Sequence, residues 1–176
     1  MPILLRPLEE KDVDGMLEWM HSEESKSIFQ KDMSNITREN AVSFVKSSQG
    51  DTFDRGFVHF AVVDDSDEYL GTISLKNIDK ENSCAEYAVS MRAKARGTGA
   101  SMAATKGILD KAFLEYNLHR VYLNVLTTNE RANKFYKKAG FVFEGTSRDS
   151  LCIRGEFKSL NWYTIIKEDY LSEVKG

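Results

Sequence analysis

Cysteine, histidine, surplus positive charge and long apolar runs are all scarce in these 176 residues, and each scarcity excludes something. Only Cys84 and Cys152 are present, which suits a reduced compartment and gives neither thiol the setting of a nucleophile. His21, His59 and His119 are scattered, with no metal-ligand or triad spacing, so no metal is expected. A formal net charge of −3 lacks the clustered basic excess of a nucleic-acid module. The opening Met1-Pro-Ile-Leu-Leu-Arg6 is too short an apolar run for a signal peptide or a membrane span, and a cytoplasmic protein is expected. No internal repeat, linker or low-complexity tract divides the chain. With 41% hydrophobic and 29% charged residues, it reads as one domain over 1–176 with a core of its own.

What is present centres on Glu86 to Tyr116. A strand-like run, Ala85 to Met91, leads into the loop Lys94-Ala-Arg-Gly-Thr-Gly-Ala100. A helical pattern follows, with Ala104, Ile108, Leu109, Ala112, Phe113 and Tyr116 at spacings of three and four. The first turn of a helix has unpaired N–H donors and a positive dipole end, and glycine lets the main chain approach a ligand. The loop therefore reads as a pyrophosphate cradle, or as a plain strand-to-helix turn. It is not a dinucleotide fingerprint, because Met102 stands where a third glycine belongs, and it lacks the Gly-Lys-Ser/Thr of a P-loop.

Around this centre, Ile3 to Arg6 is expected to be a strand closed by Pro7, and Glu9 to His21 an amphipathic helix. Ser22 to Ile36 is expected to be irregular. A second helix is expected from Arg38 to Ser48, with Thr37 as N-cap. Phe57 to Val63, Tyr69 to Ile78 and the Glu86 strand have hairpin-length connections and should form an antiparallel meander. Arg120 to Leu126 must return parallel to the Glu86 strand, because a whole helix crosses between them. A helix from Asn129 to Ala139 ends at Gly140. Strands at Phe141 to Ser147 and Phe157 to Lys167 close the chain, joined through Asp149 to Gly155.

The loop and a second motif, Asn129-Glu-Arg-Ala-Asn-Lys-Phe-Tyr-Lys-Lys-Ala-Gly-Phe141 followed by Glu144-Gly145, together resemble the GNAT acetyltransferases. The family's first motif is Gln/Arg-x-x-Gly-x-Gly/Ala, with Lys94 here in the first place; its second is Asn-x-x-Ala-x-x-x-Tyr, then Gly-Phe. The resemblance runs from about Ile3 to Tyr170. It implies an α/β fold with a mixed sheet of about seven strands and about four helices, the sheet splayed between the fourth and fifth strands with acetyl-CoA in the gap. It further implies cofactor contacts from the backbone of Met91 and Ala93, from Lys94, Arg96, Gly97, Thr98, Gly99 and Ala100, and from Asn129, Ala132 and Tyr136.

Acetyl transfer to an amine needs a neutral nucleophile, a donor for the oxyanion and a proton for the departing thiolate. Tyr136, seven residues or about two helical turns past Asn129, is the candidate acid; otherwise it is a core aromatic. Glu86 is the candidate base, matching a strand glutamate of several family members, although strand alternation alone makes it a solvated charge. Glu144 is a weaker candidate, and Asn129 can cap its helix as well as serve the cofactor. Without a nucleophilic cysteine, direct transfer to a primary amine of a small molecule is favoured. The chain is similar along its length to the spermidine, amino-sugar and ribosomal-protein branches of the family. Glu23, Glu24 and Asp32 suit a polyamine; Phe29, Lys31 and Trp162 suit an amino sugar. A protein N-terminal acetyltransferase and a non-catalytic acyl-CoA sensor are the alternatives, and a homodimer through the late strands is compatible with the residues.

Overall fold

The computed structural model describes residues 1–174. In chain order it contains β1 (Leu4–Pro7), α1 (Val13–Met20), α2 (Glu23–Ile28), α3 (Arg38–Ser47), β2 (Val58–Val63), β3 (Tyr69–Asp79) and β4 (Cys84–Met91). These are followed by α4 (Ala100–Asp110), β5 (Arg120–Leu126), α5 (Glu130–Lys138), β6 (Val142–Ile153), β7 (Glu156–Ile166) and α6 (Lys167–Val174). The seven strands form one sheet in the order β1-β2-β3-β4-β5-β7-β6. Every neighbouring pair is antiparallel except β4 and β5, where α4 makes the crossover a parallel pair requires.

That parallel pair is short. Its register covers Cys84 with Arg120, Ala85 with Val121 and Glu86 with Tyr122, and stops there. Beyond it β4 stays with β3 as far as Met91, and β5 stays with β7 as far as Leu126. The sheet therefore forks, as the family resemblance implies. Gly71 sits opposite Met91 at the upper lip of β4, where a Cβ would come within 2.5 Å of the Ser90 carbonyl oxygen and the Met91 sulfur.

Alternation gives each face of the sheet its own core. On one face Ile73, Leu75, Tyr87, Val121, Leu123 and Tyr163 pack with Ile108, Leu109 and Phe113. On the other, Ala61 and Val63 pack with Leu8, Val13, Met16, Ala41 and Val45. Thr37 caps α3 as expected, in a reciprocal pair with Asn40 at 3.1 and 3.0 Å.

Several elements depart from the sequence reading. Six α-helices are present among the described residues rather than about four. Ser22 to Ile36 is not wholly irregular: Ser22 accepts the Ser25 N–H and starts α2, whose six residues are too short and polar to show an apolar period. Glu9 to His21 begins as a 3-10 turn, and the central helix ends in a π turn at Lys111–Glu115. The last two strands run on to a tight hairpin, with Arg154 and Gly155 at φ 47° and 81°, the left-handed pair such a turn needs. Lys167 opens α6, held by the Tyr170 hydroxyl on Asp110 at 2.7 Å.

His59 gives the fold a pH dependence. Its ring lies 4.7 Å from Phe44 and 5.1 Å from Phe57, with Nδ1 2.6 Å from the Ser74 hydroxyl. Burial, then the charge of Lys76, lowers its pKa to about 4. The unfolded chain binds this proton near pH 6.5, so the contribution is complete above 6.5 and is lost as pH falls from 6.5 to 4. Allowing for solvent screening, the loss should be roughly 1–2 kcal/mol. In urea unfolding from pH 7 to 4, a His59→Gln variant should lose less stability than the unaltered protein; parallel curves would rule this out.

Candidate active site

The base of the fork is polar. Glu86 is the last residue of β4 paired with β5, and its side chain is 14% exposed, so it is not a solvated outward charge. Its Oε2 accepts from Asn77 Nδ2 at 2.7 Å, and its Oε1 accepts from Asn124 Nδ2 at 3.3 Å, with Lys76 Nζ 3.5 Å away. Asn124 lies on β5, so this hydrogen bond spans the point where the strands part. A carboxylate offers about four lone-pair sites, and these partners leave capacity for another donor.

The loop above β4 is shaped by its own hydrogen bonds. The Thr98 hydroxyl donates to the Ala95 carbonyl at 2.7 Å and accepts from the Ala100 N–H at 3.3 Å. Gly97 and Gly99 stand at φ 72° and 85°, in the left-handed region that side chains resist. A Cβ at either would meet nothing within 4 Å; their backbone conformation calls for glycine, and the space beside them is open. Gly99 precedes α4, whose N-terminus has no side-chain cap. Open space, left-handed glycines and first-turn donors together suit a diphosphate. Lys94 turns its ammonium to Glu68, leaving its main chain for the loop. Ala93 begins a 3-10 turn and its carbonyl accepts the Arg96 N–H at 3.1 Å, while Met91 ends β4 on the open bank.

The opposite bank is α5. Asn129 caps it, accepting the Ala132 N–H at 3.2 Å. Tyr136 lies half-buried among aromatic rings: Tyr87 at 5.8 Å, edge-on, Phe141 at 5.9 Å and Tyr163 at 6.2 Å. Among the described residues no protein group hydrogen-bonds its hydroxyl, and burial pushes its pKa up to about 12. Tyr136 packs on Tyr87, and Glu86 as the next residue along the strand points the other way. Acid and base candidates thus border the fork from opposite faces of the sheet.

Two placements differ from or add to the sequence reading. Glu144 is not at the fork; it meets Arg120 at 3.3 Å, and β7 lies between its strand and β5. Asn133 was not legible as a site residue, yet it fixes the bank. Its Nδ2 donates to the carbonyls of Leu126 and Asn129 at 3.0 and 2.8 Å, and its Oδ1 accepts from Asn161 at 2.9 Å and the Tyr163 hydroxyl at 2.8 Å. Three of these four bonds tie α5 to β5 and β7, and the fourth returns to the cap of α5. Among the described residues no group of three His, Cys, Asp or Glu side chains could hold a metal ion, and both cysteines are free thiols.

Residues 3–142 match the model of the Acetyltransferase (GNAT) domain. The spermidine N(1)-acetyltransferase of Escherichia coli K12 is 29% identical over 178 residues, covering 98% of this chain and 90% of that protein. The Bacillus subtilis protein named "Putative ribosomal N-acetyltransferase YdaF" is 32% identical over 103 residues, covering 58% of this chain and 56% of that protein. Among solved structures, Vibrio cholerae spermidine N-acetyltransferase in complex with CoA and spermine superposes with a TM-score of 0.85 at 23% identity, over 96% of this chain and 98% of that one. At that identity the likeness speaks for the fold.

Replacing Asn133 should be expensive for a side chain only partly buried. Asn133→Leu takes the acceptor from the Tyr163 hydroxyl and the Asn161 amide, while the Leu126 and Asn129 carbonyls keep their backbone donors, and it should destabilise by about 1–3 kcal/mol in urea titrations. A loss under about 0.5 kcal/mol, the range of neutral surface changes, would show that the network holds nothing.

Proposed function

We propose that this chain, which belongs to the GNAT acetyltransferase family, transfers the acetyl group of acetyl-CoA directly to a primary amine of a polyamine. The observation that carries the reading is the fork itself: β4 and β5 separate after Glu86, and α4 starts after Gly99, a cap residue with no side chain. We take residues 1–176 as one catalytic domain, working in the cytoplasm, where two free thiols persist. No helix among the described residues is long and apolar enough to cross a membrane.

When bound, acetyl-CoA supplies a thioester whose carbonyl carbon takes the amine's lone pair and whose sulfur leaves. The open edge of β4 at Met91 and Ala93 pairs with the pantetheine arm as an added strand would. Arg96, Gly97, Thr98, Gly99 and Ala100, with the main chain of Lys94, hold the pyrophosphate. Asn129 and Ala132 border the arm from α5. An alkyl ammonium has a pKa of about 10, so Glu86 accepts its proton, directly or through water. Tyr136 keeps its own proton far above neutrality and gives it to the departing sulfur.

The acceptor assignment rests on what the carboxylates and aromatics do. Trp162 donates to the Ser147 hydroxyl at 2.9 Å and Phe29 packs on Trp19 at 6.1 Å, so each of these two aromatics suited to an amino sugar has a partner within the protein. Glu24 lines a cavity of about 320 Å³ with Leu126, Thr128 and Asn129. The E. coli relative, aligned along nearly the whole chain, is a spermidine enzyme by name. The Bacillus relative keeps protein N-terminal acetylation as the second reading. A homodimer through the late strands fits the exposed Val142 and Phe143 on the outer strand β6.

Release of CoA thiol with a panel of spermidine, spermine, amino sugars and N-terminal peptides tests the function. Turnover should be fastest with polyamines; none with any amine would favour an acyl-CoA sensor. Tyr136→Phe should bind acetyl-CoA within about twofold of the unaltered protein by calorimetry, yet lose about 100-fold or more in kcat. With Tyr136 neutral up to about 12, kcat/KM should rise with pH as the amine deprotonates. A Tyr136→Phe variant whose kcat stays within about threefold of the unaltered protein would remove Tyr136 from the mechanism.

A further inference from the structure

Glu24 joins the two banks of the fork. From α2, its Oε2 pairs with the guanidinium of Arg96 in the glycine loop, and its Oε1 accepts from Arg131 Nη2 at 2.9 Å on α5. The same side chain lines the cavity that reaches Leu126 and Asn129, whose other charged lining group, Lys158, is paired with Glu156 at 2.6 Å. Of the three acidic residues in this region, it alone lines that cavity. Glu23 pairs with Lys26 on the surface, and Asp32 caps the turn at Met33–Asn35.

Arg96 thus faces two claims. It belongs to the loop assigned above to the pyrophosphate, and a diphosphate is a stronger and more extended partner for a guanidinium than one carboxylate. The Arg96 and Glu24 side chains are 43% and 36% exposed, and ion pairs that open to water are weak. The contact is therefore easily displaced.

We propose that Glu24 is an acceptor-specificity residue that changes partner: it neutralises Arg96 while the loop holds no phosphate, and once phosphate takes Arg96 it binds the cationic amine in the adjoining cavity. The inference rests on the acetyl-CoA and polyamine reading above and adds a coupling between the two ligands. The carboxylate competes with the first ligand and attracts the second. Removing it has opposite effects on the two, which a purely structural role does not produce.

Calorimetry on the full chain tests this without turnover. Glu24→Gln should bind acetyl-CoA about two- to fivefold more tightly, because Arg96 no longer has an internal anion. Spermidine binding to the CoA complex of the same variant should weaken about tenfold or more, with Glu24→Asp recovering part of it. In steady state the spermidine KM should rise more than kcat falls. Weakened or unchanged acetyl-CoA affinity overturns the proposal, as does unchanged spermidine binding in a variant that folds normally by thermal melt. If the unaltered protein neither binds nor acetylates polyamines, the acceptor reading above fails instead, and the acetyl-CoA measurement still decides whether Glu24 competes for Arg96.

Discussion

The structure depends on a backbone obligation left unmet. Main-chain N–H and C=O groups away from water need partners, yet β4 and β5 give each other only three paired positions before they diverge. Each strand keeps its outer neighbour, β3 for β4 and β7 for β5, so the gap is held open from both sides. The inner edges remain as a row of donors and acceptors of the kind that an extended ligand can complete. The Tyr87, Tyr136, Phe141 and Tyr163 rings pack on one face of the fork, and Glu86 with its two asparagines occupies the other.

This asymmetry separates the proposed acid from the proposed base. An apolar aromatic setting disfavours charge on Tyr136 and keeps it protonated. The amide donors around Glu86 instead hold a carboxylate in place with acceptor capacity to spare. Two titratable groups assigned opposite tasks occupy opposite environments, as proton transfer in two directions requires. Neither environment depends on long-range charge, since the chain is only slightly acidic.

The loop and its helix were readable because their physics is local. Glycines two residues apart before an apolar helical period announce left-handed turns at a helix mouth, and Asn129 with Tyr136 two turns later marks one face of a second helix. The fork and the role expected of Glu86 came from family resemblance, since nothing in the spacing of β4 or β5 says that they part after Glu86. Asn133 was hidden because its four partners come from 4 to 30 residues away on three elements. Glu24 looked like one surface carboxylate among several, because the arginines it meets lie 72 and 107 positions further on. The insertion of β7 between β5 and β6 is equally non-local: a hairpin pattern gives the two strands but not which of them lies inside.

That insertion has a consequence for how the protein comes into being. β5 meets β4 over three positions and β7 over seven, so its main support is the last of the seven strands in chain order. A nascent chain ending before Glu156 has α4, the glycine loop and the complete meander, but no wall behind β5. Non-local pairings of this kind form late, so until Glu156–Ile166 has been made the unfinished half of the sheet presents bare strand edges open to mispairing.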